Sequence, residues 1–512
     1  MYPKKIYRVL RNIPLITIVS VLFGIFVRLY HLFYIGIETP YRLGGLFLAF
    51  AKEIYKNGYS LPDIIPYYTE GGLLFAYPPL PFYIESILVF DLKIPEFLVV
   101  NVLPILVSIF SLLFFAFLLR KTNISENAKN FAIILFSIMP QAYSEQTMGA
   151  GLAESFGTLS LIIFFFGLFV FYKHQNIKST IFLSFCFSIC IYSSPGSAFG
   201  STIILITSLI FHLIEKYLSD KKINRSYYLG ILKFASFLFI LTLVFTAPYW
   251  LNVILNHGID IFLRSISYQY NSENSGWMFL INSQIRNLLH FNFIYIGVSG
   301  IWNAFIVIGL FILLSRKQLV VPMSLFSILL IPREAIWIIP IFGAVISGFY
   351  FSSQKDIFNK NIIYPIIFSI FLLNSVFYIK DSMPGNINSN ENLTVEEINI
   401  IMNLKNQIPK DSKIILICQD GFTEWFPYIA EKTVLNVEYG TEFMPEINKQ
   451  ISTFNDSVIN CLDIDCVINL TNNTFGYEKY YFIIDKQKVS QNFYIQGLID
   501  NKVETQGVFV IN

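Results

Sequence analysis

"LPFYIESILVFDLKIPE", residues 80–96, decides how the chain is threaded through a membrane. Apart from Glu85 and Ser86 it is apolar for about ten residues, and it then meets Asp91, Lys93 and Glu96. A spanning helix needs roughly 20 apolar residues, so this segment reads as a helix lying along the outer surface and not as a crossing. Apolar runs of spanning or near-spanning length lie near 13–35, 97–119, 129–146, 151–172, 178–194, 196–216, 229–250, 292–314, 319–332, 335–353 and 361–380. That predicts about eleven transmembrane helices, of which 129–146, 178–194 and 319–332 are short.

Basic residues mark the cytoplasmic side of such a chain. The N-terminus carries Lys4, Lys5, Arg8 and Arg11. Alternate connections after it carry Arg120, Lys121 and Lys129, then Lys173 and Lys178, then Lys216, Lys221, Lys222 and Arg225, then Arg316 and Lys317, then Lys355 and Lys360. The alternation holds only if 80–96 does not cross. It places the N-terminus inside and puts loops 36–96 and 251–291 and the tail from about 381 outside. Two regions are therefore expected: a membrane region, 1–380, and an extracytoplasmic α/β region, 381–512. In the tail, "LTVEEINIIMNLKNQI" (393–408) reads as an amphipathic helix, and "SKIILIC", "CVINL", "YYFIID" and "GVFVI" read as strands.

Composition agrees with a polytopic membrane protein. The 512 residues are 54% hydrophobic and 14% charged, with a mean hydropathy of +0.58, outside the soluble range. A formal net charge of +2 gives no reason to expect nucleic acid as a partner. Five cysteines are too few for a disulfide scaffold and lack zinc-ligand spacing. Cys461 and Cys466 are the pair best placed to bridge if the tail faces an oxidising compartment; free thiols in a small core are the other reading. The first apolar run is too long for a cleavable signal. No phosphate loop, dinucleotide fingerprint, zinc-protease or serine-hydrolase motif occurs.

The external connections carry the chemistry. "IGIETPYRLGGLFLAF" (35–50) sets Glu38 and Arg42 where the first span ends. Leu43, Leu46, Phe47, Phe50 and Ile54 recur at helical spacing, so 41–56 is expected as a helix flat on the membrane with Arg42 in its first turn. A carboxylate at such a boundary is suited to accept a proton; the alternative is a helix cap paired to Arg42. "PQAYSEQTMGAGLAES" (140–155) adds Glu145 at a boundary and Glu154 one turn inside a span, both candidates for a polar cavity. "LIPREAIWIIP" (330–340) holds Arg333 between two spans, where a planar guanidinium suits a phosphate or carboxylate. Arg264 and Arg286 are looser candidates for the same anion. Tyr77 and Tyr83, in the proline-stiffened "AYPPLPFY" (76–83), offer rings to a sugar or to an interfacial belt.

This order of features resembles the GT-C superfamily of integral-membrane glycosyltransferases. The resemblance is carried by "FVRLYHL" in the first helix, an acid just beyond it, an interfacial helix, "YPPLPFY", a proline turn and a late "PR". These are similar to the group of protein mannosyltransferases, aminoarabinose transferases and oligosaccharyltransferases and cover the arrangement of about residues 13–353. In the tail, "SKIILICQDGFTEWFPYIAEKTVL" resembles the start of the oligosaccharyltransferase external region. The resemblance implies transfer of a sugar from a polyprenyl-phosphate donor to a lipid, glycan or protein acceptor on the outer face. Glu38 would take the acceptor's proton, and Arg333 would stabilise the departing phosphate. Arg42 would orient Glu38 or touch that phosphate, and Tyr77 and loop 251–291 would shape the pockets. The chain departs from the group in several places. A single Glu followed by "TP" stands where an Asp or a double acid is usual, and "YPPL" lacks a preceding Lys. The second turn has no DxD or ExD, so no metal ligand is assigned and a divalent metal stays open. Trp425 lies in "TEWFP" and not in the sequon-reading WWDYG form. A transporter or flippase of lipid-linked glycan and a non-catalytic membrane scaffold are the competing functions.

Overall fold

The computed structural model describes residues 14–35, 39–40, 43–147, 149–220, 225–262, 264, 299–328, 335–353, 392–461, 463–476, 479–485, 503–505 and 508–511, with six separate helical positions between 365 and 376. Apolar helices α1 (Leu15–Ile35), α4 (Glu96–Lys121), α5 (Glu126–Ile138), α6 (Leu152–His174), α7 (Ile177–Ser193), α8 (Pro195–Asp220), α9 (Arg225–His257), α10 (Ser299–Ser315), α11 (Val320–Ile328) and α12 (Ala335–Ser353) build the bundle. Between α1 and α4 lie α2 (Gly45–Lys56), a short hairpin of β1 (Ile64–Ile65) and β2 (Leu73–Leu74), and α3 (Leu80–Ser86), which a π-turn extends to Asp91. The 80–96 segment is thus a short helix that breaks at its charges, as its sequence predicts, and the chain restarts as α4 at Glu96. Four described helices, within α4, α6, α8 and α9, are long and apolar enough to cross a membrane. Shorter apolar helices lie within α1, α7, α10 and α12. The expected span at 361–380 falls mostly outside the described residues.

The bundle interior is a single core in which α5 meets α1 and α12, and α6 meets α4 and α7. Phe115, Phe136, Phe164 and Phe171 are its largest fully buried rings. Two boundaries differ from the expected ones. The span at 129–146 is helical only to Ile138 and then turns through three 3-10 turns, 140–142, 145–147 and 149–151. Pro140 is the cause, because it has no N–H to return to the Phe136 carbonyl. Arg28 of α1 makes up the loss: its guanidinium donates to the carbonyls of Ser137 (2.9 Å), Phe136 (3.4 Å) and Gly24 (2.8 Å). The helices approach closely enough for this only because position 24 is glycine; a Cβ there would stand 2.6 Å from the Ser137 carbonyl oxygen. The second difference is α9, which continues to His257, so the second long loop begins about seven residues later than 251.

Residues from 392 onward form an α/β unit. A five-stranded sheet in the order β4 (Thr433–Val434), β3 (Lys413–Ile417), β5 (Tyr480–Asp485), β7 (Val508–Ile511), β6 (Val503–Thr505) has β3 parallel to both neighbours and β7 antiparallel to both of its own. The helices are α13 (Val395–Gln407), α14 (Asp420–Ala430), α15 (Pro445–Val458) and α16 (Ile464–Phe475). Three expected strands are present, but "CVINL" is not one of them: it lies inside α16. Asp463 caps that helix by accepting from the Cys466 amide (2.8 Å), and Ile464, Val467 and Thr471 bury one helical face. The short apolar run read as a strand is one side of an amphipathic helix.

The first loop departs most from expectation. The helix begins at Gly45 and not at 41, and its apolar residues do not lie free against lipid. Leu46, Phe50 and Ile54, with Leu48, Ala49 and Ala51, are buried. Leu46, Leu48, Ala49, Phe50 and Ile54 share one core with Phe75, Phe82, Ile401, Ile414, Phe422, Trp425 and Phe426. The periodicity was legible; its partner is protein. Cys461 and Cys466 are joined, while Cys186, Cys190 and Cys418 are buried free thiols. Closing so short a loop is worth about 2 kcal/mol in the chain-entropy account. C461S/C466S should therefore lower the stability of the tail by about that much in urea unfolding, leaving detergent-extracted bundle yield unchanged.

Candidate active site

The joint between the first loop and the tail is built around the N-terminus of α2. The first amides of a helix lack partners inside it, and no local side chain caps this one. Glu424, from α14, does so across 380 residues of chain. Its carboxylate accepts from the amides of Gly44 (3.2 Å), Gly45 (3.0 Å) and Leu46 (2.7 Å). Hydrogen bonds to a charged acceptor are worth about 1.5–3 kcal/mol each, which offsets part of the cost of a carboxylate only 2% exposed. Burial still outweighs the amides and pushes the Glu424 carboxyl up to about 7. Trp425 is fully buried beside the same turn, and a Cβ at Gly45 would lie 3.0 Å from its ring. A backbone bridge adds to the joint, with the Thr69 amide donating to Val434 (2.8 Å) and the Val434 amide to Tyr67 (2.9 Å).

A second layer of polar contacts surrounds the cap. Lys52 pairs with Glu431 (2.6 Å) and sits over the Tyr428 ring. Tyr428 donates to Glu96 (2.6 Å) at the start of α4. Glu85, on α3, is 1% exposed, and its Oε2 has no hydrogen-bond partner among the described residues. Burial first, and the charge of Glu96 second, push its carboxyl up to about 8.

The ends of several helices meet at this same end of the bundle. The Asn101 amide of α4 donates to the Thr39 carbonyl (2.8 Å), holding the chain just past α1. A Cβ on Gly44 would lie 3.7 Å from the Gly149 carbonyl carbon, so the first loop passes beside the 3-10 turns that follow α5. Those turns are tied inward through Ser108, which accepts from Arg28 Nε (3.1 Å) and donates to Gln146 (3.2 Å). Tyr249 near the end of α9 donates to the Ala76 carbonyl (2.6 Å) and lies beside Tyr192 at the end of α7. The start of α8 follows directly, and a Cβ on its Gly200 would meet Ile338, one turn into α12. The exit of α1 and the entry of α12 therefore open at one end of the bundle, under the tail.

Neither a protein-family model nor a curated protein matches the sequence. Solved structures do match. AglB from Archaeoglobus fulgidus, in complex with an inhibitory peptide and a dolichol-phosphate, is similar with a TM-score of 0.58 at 11% identity, over 95% of this chain and 70% of its own. The oligosaccharyltransferase of Archaeoglobus fulgidus in complex with Zn and sulfate gives 0.56 at 12% identity, over 92% and 68%. ArnT from Cupriavidus metallidurans bound to undecaprenyl phosphate gives 0.55 at 11%, over 97% of each chain. The chain has the fold of these solved structures, the GT-C fold.

Within the GT-C fold, the residues predicted from sequence are distributed unevenly. Glu38, Arg42, Arg286 and Arg333 lie outside the described residues. Their neighbours are described: Thr39 and Pro40 follow Glu38, Leu43 follows Arg42, and Ala335 opens α12 two residues after Arg333. Glu145 stands on the second 3-10 turn and Glu154 in the first turn of α6, half-buried, so both belong to the convergent end. Arg264 is exposed just beyond α9. Tyr77 donates to Glu442 (2.6 Å) and packs edge-on to Phe443, while Tyr83 donates to the Tyr59 carbonyl (3.1 Å). Both rings are engaged within the joint. Among the described residues, no three His, Cys, Asp or Glu side chains gather as a metal set.

Sequence reasoning gave no site role to Arg28, Ser108, Gln146, Asn101, Glu85, Glu96, Tyr428 or Glu424, although Arg28 lies in "FVRLYHL". An arginine inside the first span was the one available signal, since an ionisable group there needs a polar partner. Nothing in the sequence pairs Glu424 with position 44.

The joint should respond to pH. A carboxyl whose folded-state pKa lies above its unfolded value contributes stability at low pH that is lost as the pH rises between the two. For Glu85, facing Glu96 on α4 and Tyr428 on α14 with Lys52 over that ring, the window runs from about 4.5 to about 8. E85Q should match the parent at pH 5, exceed it in thermal stability at pH 8 and flatten the slope between; parallel melting curves across that range would contradict the assignment.

Proposed function

We propose that this protein transfers a sugar from a polyprenyl-phosphate-linked donor to an acceptor on the extracytoplasmic side of the membrane. The observation that carries the reading is that the exit of α1, beside Glu38 and Arg42, and the entry of α12, beside Arg333, open at one end of the bundle. Two supports stand beside it. Solved proteins of the same fold hold dolichol-phosphate and undecaprenyl phosphate, and the Cys461–Cys466 bridge suits a tail in an oxidising compartment.

In this reaction the acceptor's nucleophile forms a bond to the anomeric carbon as the bond from that carbon to the phosphate oxygen breaks. The nucleophile's proton passes to the Glu38 carboxylate, and the phosphate leaves on its polyprenyl chain. Negative charge grows on that phosphate in the transition state, so a fixed cation there accelerates the step. Arg333 supplies it, with Arg42 next to the same oxygens or orienting Glu38. Attack from the face opposite the phosphate inverts the anomeric centre. Glu145, on a 3-10 turn, and Glu154, in the first turn of α6, are the further acidic candidates at this end of the bundle.

The two roles separate experimentally in purified protein given a synthetic polyprenyl-phosphate sugar. E38Q should lose transfer by about 100-fold or more, the range for a general base, while keeping affinity for polyprenyl phosphate. R333A should weaken that affinity as well as turnover. Transfer undiminished in E38Q would overturn the base assignment, and a transporter would show no transfer in detergent at all.

A further inference from the structure

Two anchors bracket the stretch that carries Arg42 and follows Glu38. At one end the Thr39 carbonyl accepts from Asn101 (2.8 Å), a residue 3% exposed on α4. At the other the amides of Gly44, Gly45 and Leu46 point at the Glu424 carboxylate. Only residues 40–43 lie between. Pro40 is buried, and Val100 closes on Gly44 so tightly that a Cβ there would stand 2.8 Å from it. A helix cap is normally a neighbouring Ser, Thr, Asp or Asn; here it comes from the tail, and the sequence just before α2 is "PYRLG", with Gly44 at the cap position and no cap from its side chain. The start of α2 is therefore completed only when α14 docks on it.

We propose that Glu424 and Asn101 are positioning residues for the transfer reaction, fixing from both ends the 39–44 stretch, which follows Glu38 and contains Arg42. This rests on the role proposed above for Glu38. Neither residue need touch substrate. Glu424 links the tail to the reaction: a tail that is folded but not seated leaves the stretch free at its Gly44 end, and turnover falls before donor binding does.

The test uses the full-length protein in detergent or nanodiscs. E424Q keeps the volume but has one acceptor oxygen for three amides. It should lower kcat tenfold or more while the donor KM changes less than threefold, and backbone amide exchange over 43–47 should quicken. N101A should give the same kcat signature from the other end, with faster exchange next to Thr39. K413A, which removes the Lys413–Glu70 pair of the same joint away from the cap, should leave kcat unchanged. If E424Q does not fold, N101A alone decides. Unchanged kcat in E424Q or N101A, or an equal loss in K413A, overturns the proposal. E38Q separates it from the reading beneath: if E38Q is inactive while E424Q and N101A are normal, the positioning role fails and the base survives. An active E38Q removes the base whatever the other variants do.

Discussion

The start of α2 is the constraint on which the rest of the joint depends. Its amides must find acceptors, and the segment before it supplies none. Its face carries Leu46, Phe50 and Ile54, which must leave water. The tail meets both requirements at adjacent positions, with the Glu424 carboxylate on the amides and Trp425 against the glycine turn. A buried carboxylate is stable only where its oxygens are satisfied, so the tail cannot seat one residue out of register. Lys52 with Glu431 and Tyr428 with Glu96 then fall into place around it.

The same logic governs the membrane side. Pro140 ends α5 early and frees a carbonyl in the bundle, where an unmatched polar group costs several kcal/mol. Arg28 matches it and, through Ser108, reaches Gln146. One buried arginine thereby determines where the turns bearing Glu145 sit, beneath the first loop. Close helix contact at Gly24 is the condition for that reach. The polar chain and the aromatic seam of Tyr77, Tyr192 and Tyr249 fix two sides of the convergent end.

Much of the fold was legible in the sequence, because hydrophobic length and basic-residue alternation act locally. Most of the described spans lie where apolar runs predict them, and α3 with its π-turn ends at Asp91, ahead of Lys93 at φ 54° and Pro95. The misreadings share a cause. "CVINL" in α16 and the α2 stripe are short apolar patterns whose partner the sequence does not name. A strand, a lipid-facing helix and a helix inside a protein core look alike at that length. The candidate site is legible only as chemistry: the acidic and basic residues of the external connections stand out against 14% overall charge, while the partners that hold their loops, Asn101 and Glu424, carry no mark in the sequence.

By itself the sequence determined that the chain is a multi-helix membrane protein with a soluble-type tail and a small set of charged residues at its loop ends. Length, periodicity and charge are one-dimensional properties, and membranes read them directly. Only the tertiary structure decided that residues 44 and 424 touch, that Arg28 replaces the hydrogen bond Pro140 lacks, and that α1 and α12 open at one end. Those are satisfactions of buried polar groups by partners tens to hundreds of residues away. Such pairs leave no periodic trace in the chain, because what selects them is the exclusion of water and not the neighbouring sequence.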